Sequence, residues 1–128
     1  MDIEELIRKL INCGMAVRRQ LGAGFLEAVY KNAMIIELRK NNIPYQTEKP
    51  ITIYYDNIPV GEYKADIIVD NRVILELKAV QALATCHEVQ LVNYLTATKI
   101  DNGLLINFGS EQIEFRRKYR LYCNSIKK

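Results

Sequence analysis

Apolar or small residues at Ile3, Leu6, Ile7, Leu10, Gly14, Val17 and Leu21 return at steps of three and four, the interval at which side chains share one face of a helix. Asp2 stands ahead of them as a cap, so an amphipathic helix is expected from about residue 2 to residue 21, ended by "GAG" at Gly22 to Gly24. A second helix is expected from about Phe25 to Asn41, stopping short of Pro44 because the residue before a proline disfavours helical backbone. The pattern then changes to strand-like runs, Ile51 to Tyr55, Val60 to Val69 and Arg72 to Val80, divided by the turn signals "DNIP" and "DN". These predict an antiparallel meander. Helical spacing returns from Thr85 to about Lys99, with Val89, Val92 and Leu95 in register, and "DNG" at Asp101 to Gly103 closes it. "LLINF" reads as a buried strand, and "QIEFRRKYRLY" as a last edge strand with Arg116, Lys118 and Arg120 on one face. The order α-α-β-β-β-α-β-β predicts an α/β fold, a central mixed sheet flanked by helices. A strand-helix-strand crossover predicts that the last pairing is parallel.

Within this pattern "VILELKAV", Val73 to Val80, is too apolar for a half-solvated strand, yet Glu76 and Lys78 sit on one of its faces. Covered charges are costly unless paired or bound to a metal. Asp66, in "YKADIIV", lies on the preceding strand. A two-residue turn at Asp70 and Asn71 sets Asp66 opposite Leu75 and parts the carboxylates; a three-residue connection, Asp70 to Arg72, sets Asp66 opposite Glu76. Asn71 tolerates the left-handed backbone that such connections use. Two readings stand side by side here. One is a buried Glu76 to Lys78 ion pair with Asp66 as a turn acid. The other is a pair of carboxylates with a lysine beside them, a set that suits Mg²⁺, which takes one or two carboxylates, keeps several waters and leaves positions for phosphate oxygens.

Two helices add candidates. Glu27 shares a row with Tyr30, Met34 and Leu38, which places it at the border of the buried stripe. His87, Gln90 and Tyr94 form a polar row on the helix after the Glu76 strand; such a row is also what a helix edge packing its phenol at a core rim looks like.

Composition narrows the classes. With 128 residues, 49% hydrophobic and 26% charged, residues 1–128 make one globular domain able to bury roughly two-thirds of its unfolded surface. The amino terminus lacks a basic flank followed by a long apolar run, and no stretch is long enough to span a membrane, so a soluble cytoplasmic protein is expected. Cys13, Cys86 and Cys123 are odd in number and far apart, which speaks against a disulfide framework or a zinc knuckle and for buried free thiols. His87 is the single histidine, which excludes multi-histidine zinc sites. The formal charge is +3, but residues 111–128 carry six basic and two acidic side chains, +4, leaving −1 for the rest. The Arg116, Lys118 and Arg120 face can hold phosphates or simply protect an edge strand by its charge.

Taken jointly, Gly24-x-x-Glu27-x-x-Tyr30 in "GFLEAVY", Asp66, Glu76-x-Lys78 and Gln90-x-x-x-Tyr94 resemble the GxxExxY proteins, a branch of the PD-(D/E)XK nuclease superfamily, over nearly the whole chain. They are also similar to the RecB-type arrangement of a helix glutamate, a strand aspartate, an E-x-K strand and a Q-x-x-x-Y helix around one metal centre. The resemblance implies a restriction-endonuclease-like core and a metal-dependent nuclease that hydrolyses DNA or RNA with Mg²⁺, or Mn²⁺ in its place. It implies that Asp66, Glu76 and the carbonyl of Leu77 bind the metal, that Glu27 holds it directly or through water, and that Lys78 activates the attacking water. Gln90 and Tyr94 are then catalytic supports or nucleic-acid contacts. Ala65 stands where the superfamily's name expects proline, a change in backbone rigidity and not in a ligand. The alternative is a catalytically silent module that keeps the fold to bind nucleic acid or a partner. In either case selectivity is expected from a homodimer or another chain, because no base-reading motif is present.

Overall fold

The structure, a computed structural model, describes residues 1–121, so readings placed on Tyr122, Cys123, Lys127 and Lys128 lie outside the described residues. Helix α1, Ile3–Leu21, opens on a reciprocal cap: Glu5 N–H donates to Asp2 Oδ1 at 2.8 Å, and Asp2 N–H donates to Glu5 Oε1 at 3.3 Å. It buries Leu6, Ile7, Leu10, Cys13, Gly14 and Val17, the stripe its spacing predicts. Gly14 gives the Phe115 ring room there, since a Cβ would meet it at 3.0 Å and the ring would have to shift. Helix α2, Glu27–Lys40, buries Tyr30, Met34 and Leu38.

Five strands follow, β1 Tyr45–Tyr55, β2 Ile58–Val69, β3 Val73–Lys78, β4 Asn102–Asn107 and β5 Glu114–Tyr119, with helix α3, Thr85–Thr98, between β3 and β4. They form one sheet in the order β1-β2-β3-β4-β5. The β3–β4 pair joined by the α3 crossover is parallel. The last pair, β4–β5, is antiparallel, contrary to expectation, because a short loop and not a crossover helix joins those strands. Strand β1 begins at Tyr45 and not at Ile51; the polar "YQTEKP" hides it, and Pro50 is tolerated because β1 is an edge strand.

Helices α1 and α2 cover one face of the sheet, packing on Ile67, Val69, Val73, Leu75, Leu77, Leu104 and Ile106. Helix α3 covers the other, with Leu91 and Leu95 on Ile68, Ile74 and Leu105. Val89, expected in that stripe, is 53% exposed. Residues Val73 to Leu77 are buried throughout, which answers why the strand reads as apolar on both faces. Cys13 is buried as expected, but Cys86, in the first turn of α3, is exposed. Among the described residues no helix is long and apolar enough to cross a membrane.

The basic edge is offset within the fold. Lys118 and Arg116 reach Glu88 of α3 at 3.0 and 3.9 Å, Arg117 reaches Glu4 of α1 at 2.8 Å, and Arg120 reaches Asp101 at 3.0 Å.

Candidate functional site

The site forms where β2 and β3 part. Asp70 and Asn71 both adopt left-handed backbone, φ 52° and 56°, and Arg72 N–H closes the turn on Val69 O at 2.9 Å. Strand pairing then starts at Val69 with Val73, so Asp70 to Arg72 make the three-residue connection that a carboxylate pair requires. The ladder runs through Ile68–Ile74 to Ile67–Leu75, which puts Asp66 and Glu76 at the next, open rung. There side chains replace the backbone bonds. Leu77 N–H donates to Asp66 Oδ2 at 3.0 Å, and Asp66 N–H donates to Glu76 Oε1 at 3.3 Å. The Tyr63 O–H donates to the same Glu76 oxygen at 2.6 Å. Among the described residues nothing donates to Asp66 Oδ1 or Glu76 Oε2, so each carboxylate keeps one oxygen for a ligand.

Glu76 is 7% exposed. Burial, and after it the neighbouring Asp66, pushes its carboxyl up to about 7, against the pull of the Tyr63 O–H, the Asp66 N–H and Lys78. Burial also raises Asp66, with the Leu77 N–H, Lys31 and Lys78 drawing it back and Glu48 adding to the rise. The Tyr63 phenol is held firmly protonated by burial and by Glu76. Half-buried Lys78 shares the Glu76 face, yet among the described residues no ion pair joins the two. The buried ion-pair reading is therefore not the arrangement found. Two like charges are held together, and what restrains them is a phenol and two backbone amides.

Tyr63 also stacks on Tyr94 of α3, the ring planes within 17°. Gln90 is exposed one turn earlier. Both line a groove of about 610 Å³ between α3 and β1, with Asn93, Thr52, Ile53 and Tyr54. The Tyr94 to Tyr63 stack joins that groove to the carboxylates.

Among the described residues Glu27 makes no bond to either carboxylate. It is exposed in the first turn of α2, along with Ala28 and Val29, and among the described residues no three His, Cys, Asp or Glu side chains are grouped to hold a metal ion. Tyr30, the last residue of "GFLEAVY", is a structural pin: its O–H donates to Gly22 O at 2.7 Å and accepts from Phe25 N–H at 3.2 Å, and its ring stacks on Phe108 at 4.6 Å. Gly22 and Gly24, at φ 73° and 109°, give the loop it closes a path that other residues rarely follow.

The structure also brings in residues the sequence did not mark. One is Tyr63. Lys31 of α2 pairs with Glu48 of β1 beside Asp66. Asn107, paired with Lys78 across β3 and β4, accepts from Val80 N–H at 3.0 Å and donates to Val80 O at 2.9 Å and Glu114 Oε1 at 2.8 Å, fixing the chain that leaves Lys78. The only signals for these were a tyrosine three residues before the aspartate and a lysine four after Glu27.

The donor set fits a divalent ion on its chemistry. Two adjacent carboxylates with free oxygens, next to the Leu77 peptide, match the few protein oxygens Mg²⁺ takes. A solved structure described as "Crystal structure of SSO0001" is similar in fold, with a TM-score of 0.59 and 19% identity over 77% of this chain and 52% of that one. This chain thus spans about half the length of that protein. No curated protein matches the sequence. The family model of the PD-(D/E)XK nuclease superfamily matches residues 4–118, from α1 to β5. The chain belongs to the PD-(D/E)XK nuclease superfamily.

Proposed function

We propose that the protein is a nuclease of the GxxExxY branch that hydrolyses phosphodiester bonds in DNA or RNA with Mg²⁺, or Mn²⁺ in its place. The observation that carries the reading is the Asp66 and Glu76 pair at the open rung, each with one oxygen free of protein donors, and Lys78 on the same face. Superfamily nucleases typically use divalent ions, and here Asp66, Glu76 and the Leu77 carbonyl would hold one. A bound ion supplies the positive charge that offsets what grows on the phosphate oxygens during hydrolysis. Lys78 orients the attacking water and takes part in its deprotonation. Tyr63 keeps Glu76 aimed, and Gln90 and Tyr94 flank the path of the nucleic acid.

The test is cleavage of labelled single-stranded, double-stranded and branched substrates with Mg²⁺ and Mn²⁺. Lys78→Met should retain metal and nucleic-acid binding while cleavage falls by about two orders of magnitude or more. Lys78→Arg keeps the charge but is too basic to accept a proton, so it should be nearly as slow. A protein that uses the fold only to bind will show no metal-dependent cleavage of any substrate. Full activity in both variants would end the role given to Lys78.

A further inference from the structure

Lys31 and Glu48 lie outside the residues to which the nuclease reading gives roles. Lys31 sits on α2 with its side chain only 19% exposed, and its Nζ pairs with the Glu48 carboxylate across to β1. The β1–β2 register runs Thr47–Ile67 and then Lys49–Ala65, skipping Glu48, so Glu48 occupies the position across from Asp66. Its backbone is left-handed, φ 55°, a conformation that costs a glutamate free energy. An ion pair whose acid is 56% exposed returns little stability. The ion pair by itself therefore does not account for the left-handed backbone at Glu48. Asp66 feels both groups, Lys31 drawing its acidity one way and Glu48 the other.

We infer that Lys31 is a second cationic anchor of the site, one that takes a phosphate of a nucleic-acid backbone, and that Glu48 holds it until that phosphate arrives. The choice of ligand rests on the nuclease reading above. An anionic strand approaching two carboxylates needs positive charge close by. The cations of β5 face Glu88, Glu4 and Asp101, whereas the two cations whose charge Asp66 feels are Lys31 and Lys78. A lysine suits this role because its ammonium is a compact charge on a flexible stem and exchanges one oxygen partner for another without a fixed fork geometry.

The inference predicts opposite effects from the two partners. Binding of a labelled single-stranded oligonucleotide, its duplex and an RNA copy is measured by anisotropy over a salt series, with Ca²⁺ replacing Mg²⁺. Lys31→Met should weaken affinity about tenfold and flatten the salt dependence by about one phosphate contact, and Lys31→Arg should restore most of it. Glu48→Gln should tighten binding about threefold, because the lysine is no longer held. A pair that only docks α2 on β1 would instead lower the melting temperature in both variants and leave affinity within twofold, and that result overturns the inference, as does weaker binding by Glu48→Gln. Should Lys31→Met fail to fold, Glu48→Gln decides alone. The two proposals fail separately. Opposite affinity shifts without any cleavage by the wild type would keep the anchor and remove the nuclease, whereas metal-dependent cleavage with unmoved affinities would do the reverse.

Discussion

The Tyr63 O–H donates to the same Glu76 oxygen that takes the Asp66 N–H, and both bonds work against the burial that raises this carboxyl to about 7. A ligand needing the ionised form of Glu76 competes with a proton near neutral pH. Tyr63→Phe keeps the ring stacked on Tyr94 but removes the donor, so the carboxyl should rise further. Mn²⁺ affinity by calorimetry should then fall severalfold at pH 6.5, with the gap to wild type closing by pH 8.5. An equal loss at both pH values would mean that Tyr63 acts through packing alone. Glu76 and Lys78 could be placed from the sequence because alternation along β3 sets their face, whereas Asp66 hangs on a turn length that the sequence leaves between two and three residues. Tyr63 could not be placed. Ala65 and Ile68 are three apart yet both join the cluster under α3, so the alternation of β2 slips by one residue beside Asp66. A strict period of two carries Tyr63 to the wrong face.

At the scale of elements, the β2–β3 turn decides whether a site exists at all. Asp70 and Asn71 are both left-handed, and Arg72 is the extra residue that aligns Val69 with Val73. Asn71→Gly should leave stability unchanged or raise it slightly, while Asn71→Val, β-branched at positive φ, should cost about 1–2 kcal/mol in urea denaturation. Comparable loss from the glycine variant would show that the asparagine side chain and not its backbone is what matters. The same scale explains the exposure of Glu27. Row arithmetic on α2 correctly gives Tyr30, Met34 and Leu38 as buried, but it assumes that the helix is covered along its whole length. The first turn of α2 is not covered, and Glu27 is exposed there. Helix α3 shows a related slip, since Leu91 and not Val89 meets the sheet, resting where Gly103 leaves room: a Cβ on that glycine would come within 3.0 Å of Leu91.

For the whole molecule the carboxylate pair is a source of instability whenever no cation occupies it, and pH exposes this. Glu76 titrates at its ordinary value of 4.5 in the unfolded chain and at about 7 in the fold. Below 4.5 both states hold the proton. Between 4.5 and about 7 the unfolded chain has released a proton that the folded chain keeps, so folding stability falls as pH rises. Above about 7 both states are ionised and the penalty is complete, about 3 kcal/mol for a shift of this size. Asp66 shifts in the same direction and adds to it. Glu4, Glu48 and Glu114 are lowered, so their stabilisation is lost only as pH drops below the ordinary carboxylate range, outside the window from pH 5 to 7. Urea denaturation of the metal-free protein should therefore show stability declining from pH 5 to pH 7 and levelling beyond. Glu76→Gln has no proton to release and should flatten most of that slope, matching or exceeding the wild type at pH 7. Saturating Mn²⁺ should reverse the trend in the wild type, because the ionised pair is the form that binds, and should do little for Glu76→Gln. A metal-free wild type that gains stability from pH 5 to 7, or a Glu76→Gln protein much weaker at pH 7, would mean that the charged glutamate holds the fold together and that the pair did not arise to receive a cation.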